Sequence, residues 1–281
     1  MSGSALLSGK FGGGIDATNG EHVKLNGATV LLTGATGGIG HAIARRLKSE
    51  GCDVVLTGRN AEVLAPLAAE LGARSIVADL GDAADVDRLL VEAGRVDVLV
   101  ANAALPGTGD LATMSVERID ANIDVNLRAP IMMARALVPA LVERRTGHLV
   151  FIGSVSGIVA SPGSTLYNAT KFGLRGFAAA LRQDLHPTGV GVSIVEPGFV
   201  RDAGMFVNSG MEVPRGTRTV TPEKVAAGVV KAITKNRGEV VVAPAELRLG
   251  ARFGSIFPSV NDAAQRQAGA AEMVSKHAYN N

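Results

Sequence analysis

The strongest constraint on this chain is a rhythm. Short, mostly apolar runs recur at Ala28–Leu32, Asp53–Thr57, Ser75–Ala78, Val96–Ala101, Leu149–Ile152, Val192–Val195 and Glu239–Val242. Longer stretches with apolar residues at helical spacing lie between them: a helix ending near Glu50, then Glu62–Leu71, Ala83–Ala93, about 116–143 and 165–186. A strand that is apolar on both faces must be covered on both, which a parallel sheet with helices above and below achieves. The expected fold is α/β, a Rossmann-type doubly wound parallel sheet of about seven strands over residues 25–243. Residues 1–24, rich in Gly and Ser, read as a flexible arm, and 244–281 as a C-terminal extension. In such a sheet ligands bind beyond the carboxyl ends of the strands. Gly34, Arg59, Asp79, Asn102, Ser154 and Pro197 all fall just past a strand end, which predicts a single site.

Two stretches carry chemistry. Thr33-Gly34-Ala35-Thr36-Gly37-Gly38-Ile39-Gly40 joins a buried strand to a helix. Glycines there let backbone N–H groups approach an anion, and the helix N-terminus adds positive potential. The second stretch runs from Ser154 to Lys171, with Tyr167 and Lys171 one helical turn apart on the same face. A free phenol loses its proton near pH 10, and an ammonium one turn away favours the phenolate. A tyrosine tuned in this way can exchange a proton with a substrate oxygen. Ser154 can hold the same oxygen while charge develops on it.

Beyond these two stretches, the motifs from about Leu25 to Val242 resemble, in order and spacing, the compact short-chain dehydrogenases/reductases. TGATGGIG matches the glycine turn, although Gly34, Gly37 and Gly40 also fit the spacing of longer sugar-nucleotide members. Asp79-Leu80 resembles the pair beside the adenine. Asn102-Ala103-Ala104 resembles the family's NAG, with Ala104 in place of glycine. Asn126, Ser154, Tyr167 and Lys171 match the catalytic tetrad, and Pro197-Gly198 the proline–glycine at the nicotinamide end. The resemblance implies reversible hydride transfer between a nicotinamide cofactor and a carbonyl/alcohol pair. Tyr167 would be the general acid and base, Lys171 would hold the ribose and depress the Tyr167 pKa, and Asn126 would position a relay water. No metal is implied. The implied cofactor contacts are Gly34, Thr36, Gly37, Gly38, Ile39, Gly40, Arg59, Asp79, Leu80, Asn102, Ala103, Ala104, Tyr167, Lys171, Pro197, Gly198 and Val200.

Gly58 stands where NAD-preferring members carry an acid, and Arg59 can grip a 2′-phosphate bidentately, so NADP(H) is favoured over NAD(H). Asp202 departs from the family's PGxVxT, placing a carboxylate where a threonine would touch the cofactor. The segment 199–220, with Met205, Phe206 and Met211 among glycines, suits a mobile lid over an apolar substrate, lipid-, steroid- or aromatic-like. The apolar residues of 244–281 suit a pocket wall or a subunit contact, and His148 reads as solvated. The two long helices resemble those that family members pack into homodimers or homotetramers. Alternative readings are an NAD-dependent alcohol dehydrogenase, a non-catalytic nucleotide-binding regulatory protein, and a sugar-nucleotide epimerase, for which little chain remains after Lys171. The net charge of +2 with interspersed signs points away from nucleic acid. One cysteine, Cys52, fits a reducing compartment. No apolar segment of signal-peptide or membrane-spanning kind is apparent, so the expected location is the cytoplasm.

Overall fold

A computed structural model of the protein describes residues 23–201 and 218–267. Seven strands form one sheet: β1 (Thr29–Thr33), β2 (Asp53–Gly58), β3 (Arg74–Val77), β4 (Val98–Ala101), β5 (Gly147–Ile152), β6 (Val190–Pro197) and β7 (Glu239–Val242). Every pairing is parallel, in the order β3-β2-β1-β4-β5-β6-β7. The winding reverses between β1 and β4, so their carboxyl ends diverge and leave a crevice there.

Side-chain alternation along each strand feeds two cores. Val30, Leu32, Val98, Val100 and Val150 pack on one face with α1 (Gly38–Ser49), α2 (Ala61–Leu71) and the later helix Pro222–Thr234. Leu31, Leu99, Leu149 and Phe151 pack on the other with α3 (Ala83–Ala93), the stretch 129–143 and the helix Thr165–Leu185. A one-residue slip in a strand would exchange these two sets, which specifies the register firmly. Turn chemistry sets the helix starts: Asn60 accepts from the N–H groups of Glu62 and Val63, and Asp82 from that of Ala84.

Several expectations change in detail. The stretch 116–143 is not one regular helix. It consists of α4 (Val116–Ile123), a π-helical turn at Asp124–Arg128, and α5 (Ala129–Glu143). Taken together, 116–143 is long and apolar enough to cross a membrane, although charged residues such as Asp124, Arg128 and Arg135 interrupt it. Here it lies along the sheet, with Met133 and Leu141 wholly buried in the second core. Val23 packs against the first core; residues 1–22 lie outside the described residues.

His148 is not solvated. It sits inside β5, 2% exposed, with its Nε2 2.7 Å from Ser193 Oγ, and Gly191 leaves room for the imidazole. After α6 (Thr165–Leu185) and α7 (Pro222–Thr234), the extension forms α8 (Ala245–Ile256) and α9 (Pro258–Gln267). These helices back the site. Leu247 packs where a Cβ on Gly198 would stand, and Gln265 Nε2 donates to the carbonyl of Ala160 at 2.7 Å.

Candidate active site

A cleft of about 500 Å³ lies across the carboxyl ends of the strands. All seventeen positions that the family resemblance assigns to the cofactor line it, together with Ser154. At one end is the glycine turn. Gly34 has φ +65°, and a Cβ on it would stand 2.7 Å from Ala103 Cα, so this backbone approach requires glycine. Gly40 lies against the carbonyl of Gly34, which closes α1 tightly onto β1. The N-cap of α1, Gly37, provides no side-chain acceptor, and the first turn carries no acid. Its amides and the positive end of the helix dipole therefore face the cleft.

Asn102 and Thr33 hold this end together. Asn102 Nδ2 donates to the carbonyls of Thr33 and Gly34, each at 3.0 Å, while Thr33 Oγ1 accepts from the N–H groups of Asn102 and Ala103. Asn102 thus serves the site by tying β4 to the glycine turn. Thr33 is a site residue that the sequence reading passed over, although its hydroxyl at a strand end was a visible signal.

Beyond β2, Gly58 abuts Thr36, whose Cγ2 would be 2.9 Å from a Cβ at position 58. No larger side chain fits there without displacing Thr36. Arg59 is exposed on the cleft wall and makes no hydrogen bond or ion pair among the described residues. Asp79 is exposed, with its Oδ1 accepting from the N–H of Gly81 at 3.0 Å.

The other end of the cleft is built by β5 and α6. Ser154 follows β5 in an extended conformation and opens a 3-10 turn, Val155–Gly157. Leu166, Thr170, Leu174, Ala178 and Leu185 bury one face of α6. That burial fixes the rotation of α6 and points both Tyr167 and Lys171 at the cleft. The Ser154 hydroxyl and the Tyr167 phenol line the cleft together, near enough for the hydroxyl to favour the phenolate. Lys171 Nζ is 5.6 Å from the Tyr167 ring centroid and donates to the carbonyl of Ile152 at 2.9 Å.

The electrostatics correct the sequence reading. Burial pushes the Tyr167 phenol up to about 12 against the Ser154 hydrogen bond, and outweighs the depression expected from Lys171. Burial pushes Lys171 down to about 8, because the same dry environment disfavours each group's charged form.

Asn126 is held by hydrogen bonds to the chain itself. It sits in the π-helical turn, 1% exposed, and does not line the cleft. Its Oδ1 accepts from the N–H of Leu105 at 2.6 Å, and its Nδ2 donates to the carbonyl of Leu105 at 2.9 Å. The side chain is a clamp on the loop after β4. Asn168 is a second clamp that the sequence reading missed, donating to the carbonyls of Ser156 and Val159. The remaining cleft wall mixes Leu105, Pro106, Val155 and Phe199 with the hydroxyls of Thr108, Ser156, Ser161 and Ser164. Asp202 and the lid residues Met205, Phe206 and Met211 lie outside the described residues. No cluster of three or more potential metal-binding side chains occurs among the described residues.

Residues 28–212 match the family described as short chain dehydrogenase. The chain is 35% identical over 270 residues to the ketoacyl reductase HetN of Nostoc sp., covering 91% of this chain and 94% of that one. It is 41% identical over 215 residues to the NADP-dependent 3-hydroxy acid dehydrogenase YdfG of Salmonella typhi, covering 71% and 86%. Among solved structures it is similar to a short-chain dehydrogenase from Sphingobium yanoikuyae in complex with NADPH, with a TM-score of 0.74, 28% identity, and 84% and 96% of the two chains covered.

Proposed function

The chain belongs to the short-chain dehydrogenase family and is an oxidoreductase of CH–OH and carbonyl groups; from that premise we propose hydride transfer between NADP(H) and a ketone or secondary alcohol, with Tyr167 as general acid and base. The observation that carries this reading is the continuity of one cleft, from Arg59 at one end to Ser154, Tyr167 and Lys171 at the other.

The residues fit the cofactor. The uncapped N-terminus of α1 suits a pyrophosphate, and the closed space at Gly58 beside the unpaired Arg59 suits a 2′-phosphate rather than a ribose diol. The NADP dependence in the name of one relative supports the same choice.

When bound, the nicotinamide supplies or accepts the hydride. In reduction, the carbonyl carbon takes the hydride and the oxygen takes the Tyr167 proton, giving the alcohol. Tyr167, pushed up to about 12, holds that proton at neutral pH, so it is poised as the acid. Ser154 steadies the substrate oxygen as charge builds on it. Once Tyr167 has given its proton, the Lys171 ammonium favours the resulting phenolate. With its own pKa near 8, Lys171 can then pass a proton onward near neutral pH. The mixed wall of Leu105, Val155, Thr108 and Ser161 suits a substrate with an apolar body and a hydrogen-bonding group. The relatives' names, a ketoacyl reductase and a 3-hydroxy acid dehydrogenase, favour a keto or hydroxy group on an acyl or acid skeleton.

The test is fluorescence titration with NADPH and NADH, on the parent protein and on Arg59→Ala. Loss of one charged phosphate contact costs about 1.5–3 kcal/mol, roughly ten- to a hundredfold in affinity. Tighter NADPH binding that Arg59→Ala abolishes is the expected result. Equal or tighter NADH binding overturns the cofactor assignment.

A further inference from the structure

Behind the catalytic turn lies a carboxylate that the reaction described above does not use. Glu196, at the end of β6, is 0% exposed, and its carboxylate oxygens make no hydrogen bond of good geometry among the described residues, although the Glu239 carboxyl is near enough to share a proton with it. Its nearest cation is Arg175, whose Nε is 3.4 Å from Oε1. Arg175 lies on α6, one turn beyond Lys171, and its Nη2 also reaches Glu239 Oε2 at 3.0 Å.

The position of Glu196 under the turn is tight. A Cβ on Gly153 would stand 3.2 Å from Glu196 Cγ, and one on Gly157 would stand 3.5 Å from Glu196 Oε1 and 2.8 Å from the carbonyl of Lys171. The two glycines that bracket the Ser154 turn therefore rest on Glu196 from below and on α6 from the side. A hydrocarbon side chain would fill this space without the penalty of burying a carboxylate.

We propose that Glu196 is a positioning residue, a buried strut that holds the Ser154 turn against the helix carrying Tyr167 and Lys171. The proposal rests on the reading that Ser154 and Tyr167 act together on one substrate oxygen.

The groups facing Glu196 are Arg175 on α6, Glu239 on β7 and Arg252 on α8, while Lys171 lies across the turn. Burial first, and then the neighbouring Glu239, push its carboxyl up to about 8 against Arg175 and Arg252. The neutral acid is then the form that supports the turn at neutral pH. Ionisation places a poorly compensated charge directly beneath Ser154.

Tyrosine itself can report the contact, because Tyr167 and Tyr279 are the only two in the chain. In a Tyr279→Phe background labelled with ¹³Cζ-tyrosine, a single NMR resonance follows the phenol and its hydrogen bond to Ser154 from pH 6 to 9.5. The expected result has two parts. Glu196→Gln matches the parent at pH 6 but loses the part of the pH-dependent shift that Lys171 does not cause. Glu196→Ala displaces the resonance throughout. A folded Glu196→Ala protein whose resonance overlays the parent's overturns the proposal, as does a Glu196→Gln protein with the parent's full pH excursion. If Glu196→Ala does not fold, the Glu196→Gln comparison decides alone. NADPH titration of the parent tests the hydride-transfer reading separately. A parent that does not bind NADPH but whose Tyr167 resonance responds to Glu196 would remove that reading and leave the strut.

Discussion

Tyr167 and Lys171 show how one environment acts in opposite senses on two groups. The burial that raises the phenol's pKa also lowers the ammonium's. Tyr167→Phe is expected to lower turnover by at least about a hundredfold, with NADPH affinity and melting temperature within error of the parent; steady-state kinetics beside calorimetry checks this. Glu196 makes a stability prediction of its own. Its folded pKa lies above its unfolded value of 4.5, so the folded state binds more protons between pH 4.5 and about 8. Its contribution to stability therefore falls as pH rises through that window and is level outside it, with a slope of at most about 1.4 kcal/mol per pH unit. Glu196→Gln removes the slope, so its melting temperature should gain on the parent's between pH 5 and 8. Thermal melts at stepped pH test the sign. At this scale the legible residues were those with unusual chemistry in a motif, such as Tyr167, Lys171 and Arg59. Glu196 was not legible, because a glutamate before a proline at a strand end gives no hint of the turn that folds over it.

The helices and turns supply geometry that single residues cannot. The glycine turn works because Gly40 has no side chain where the carbonyl of Gly34 lies. Gly40→Ala should therefore cost about 1–3 kcal/mol of stability and abolish measurable NADPH binding, as read by urea unfolding and fluorescence titration. The π-helical turn at Asp124–Arg128 shifts the helical register by one residue where Asn126 must reach Leu105. Asn126→Ala leaves the half-buried N–H and carbonyl of Leu105 without their partner, and should cost about 1–3 kcal/mol in urea unfolding. Helix existence was legible from periodicity, and α3 and β7 have the bounds the sequence predicted. The π turn was not, since Asp124–Arg128 continues the apolar spacing of a regular helix. His148 was misread for a related reason. Its pairing with Ser193 and the space left by Gly191 come from a neighbouring strand more than forty residues away.

At the scale of the whole molecule, the site exists because the sheet reverses its winding between β1 and β4. A cofactor spanning that crevice ties both halves of the sheet to one ligand, so binding is linked to global stability. NADPH at a hundredfold excess over its dissociation constant should add about 2.7 kcal/mol. At about 2–4 °C per kcal/mol for a domain of this size, calorimetry should show a rise of roughly 5–10 °C; no rise would contradict nucleotide binding. The amino-acid sequence alone predicted the alternating fold and put the motif residues past the strand ends, where they line one cleft. Those follow from local spacing, since apolar periodicity and glycine placement are properties of neighbouring residues. The burial that raises the Tyr167 phenol, the clamp of Asn126 on Leu105 and the place of Glu196 under the Ser154 turn all come from tertiary packing. Burial and long-range contact determine these features, and both arise only when residues distant in the chain pack together.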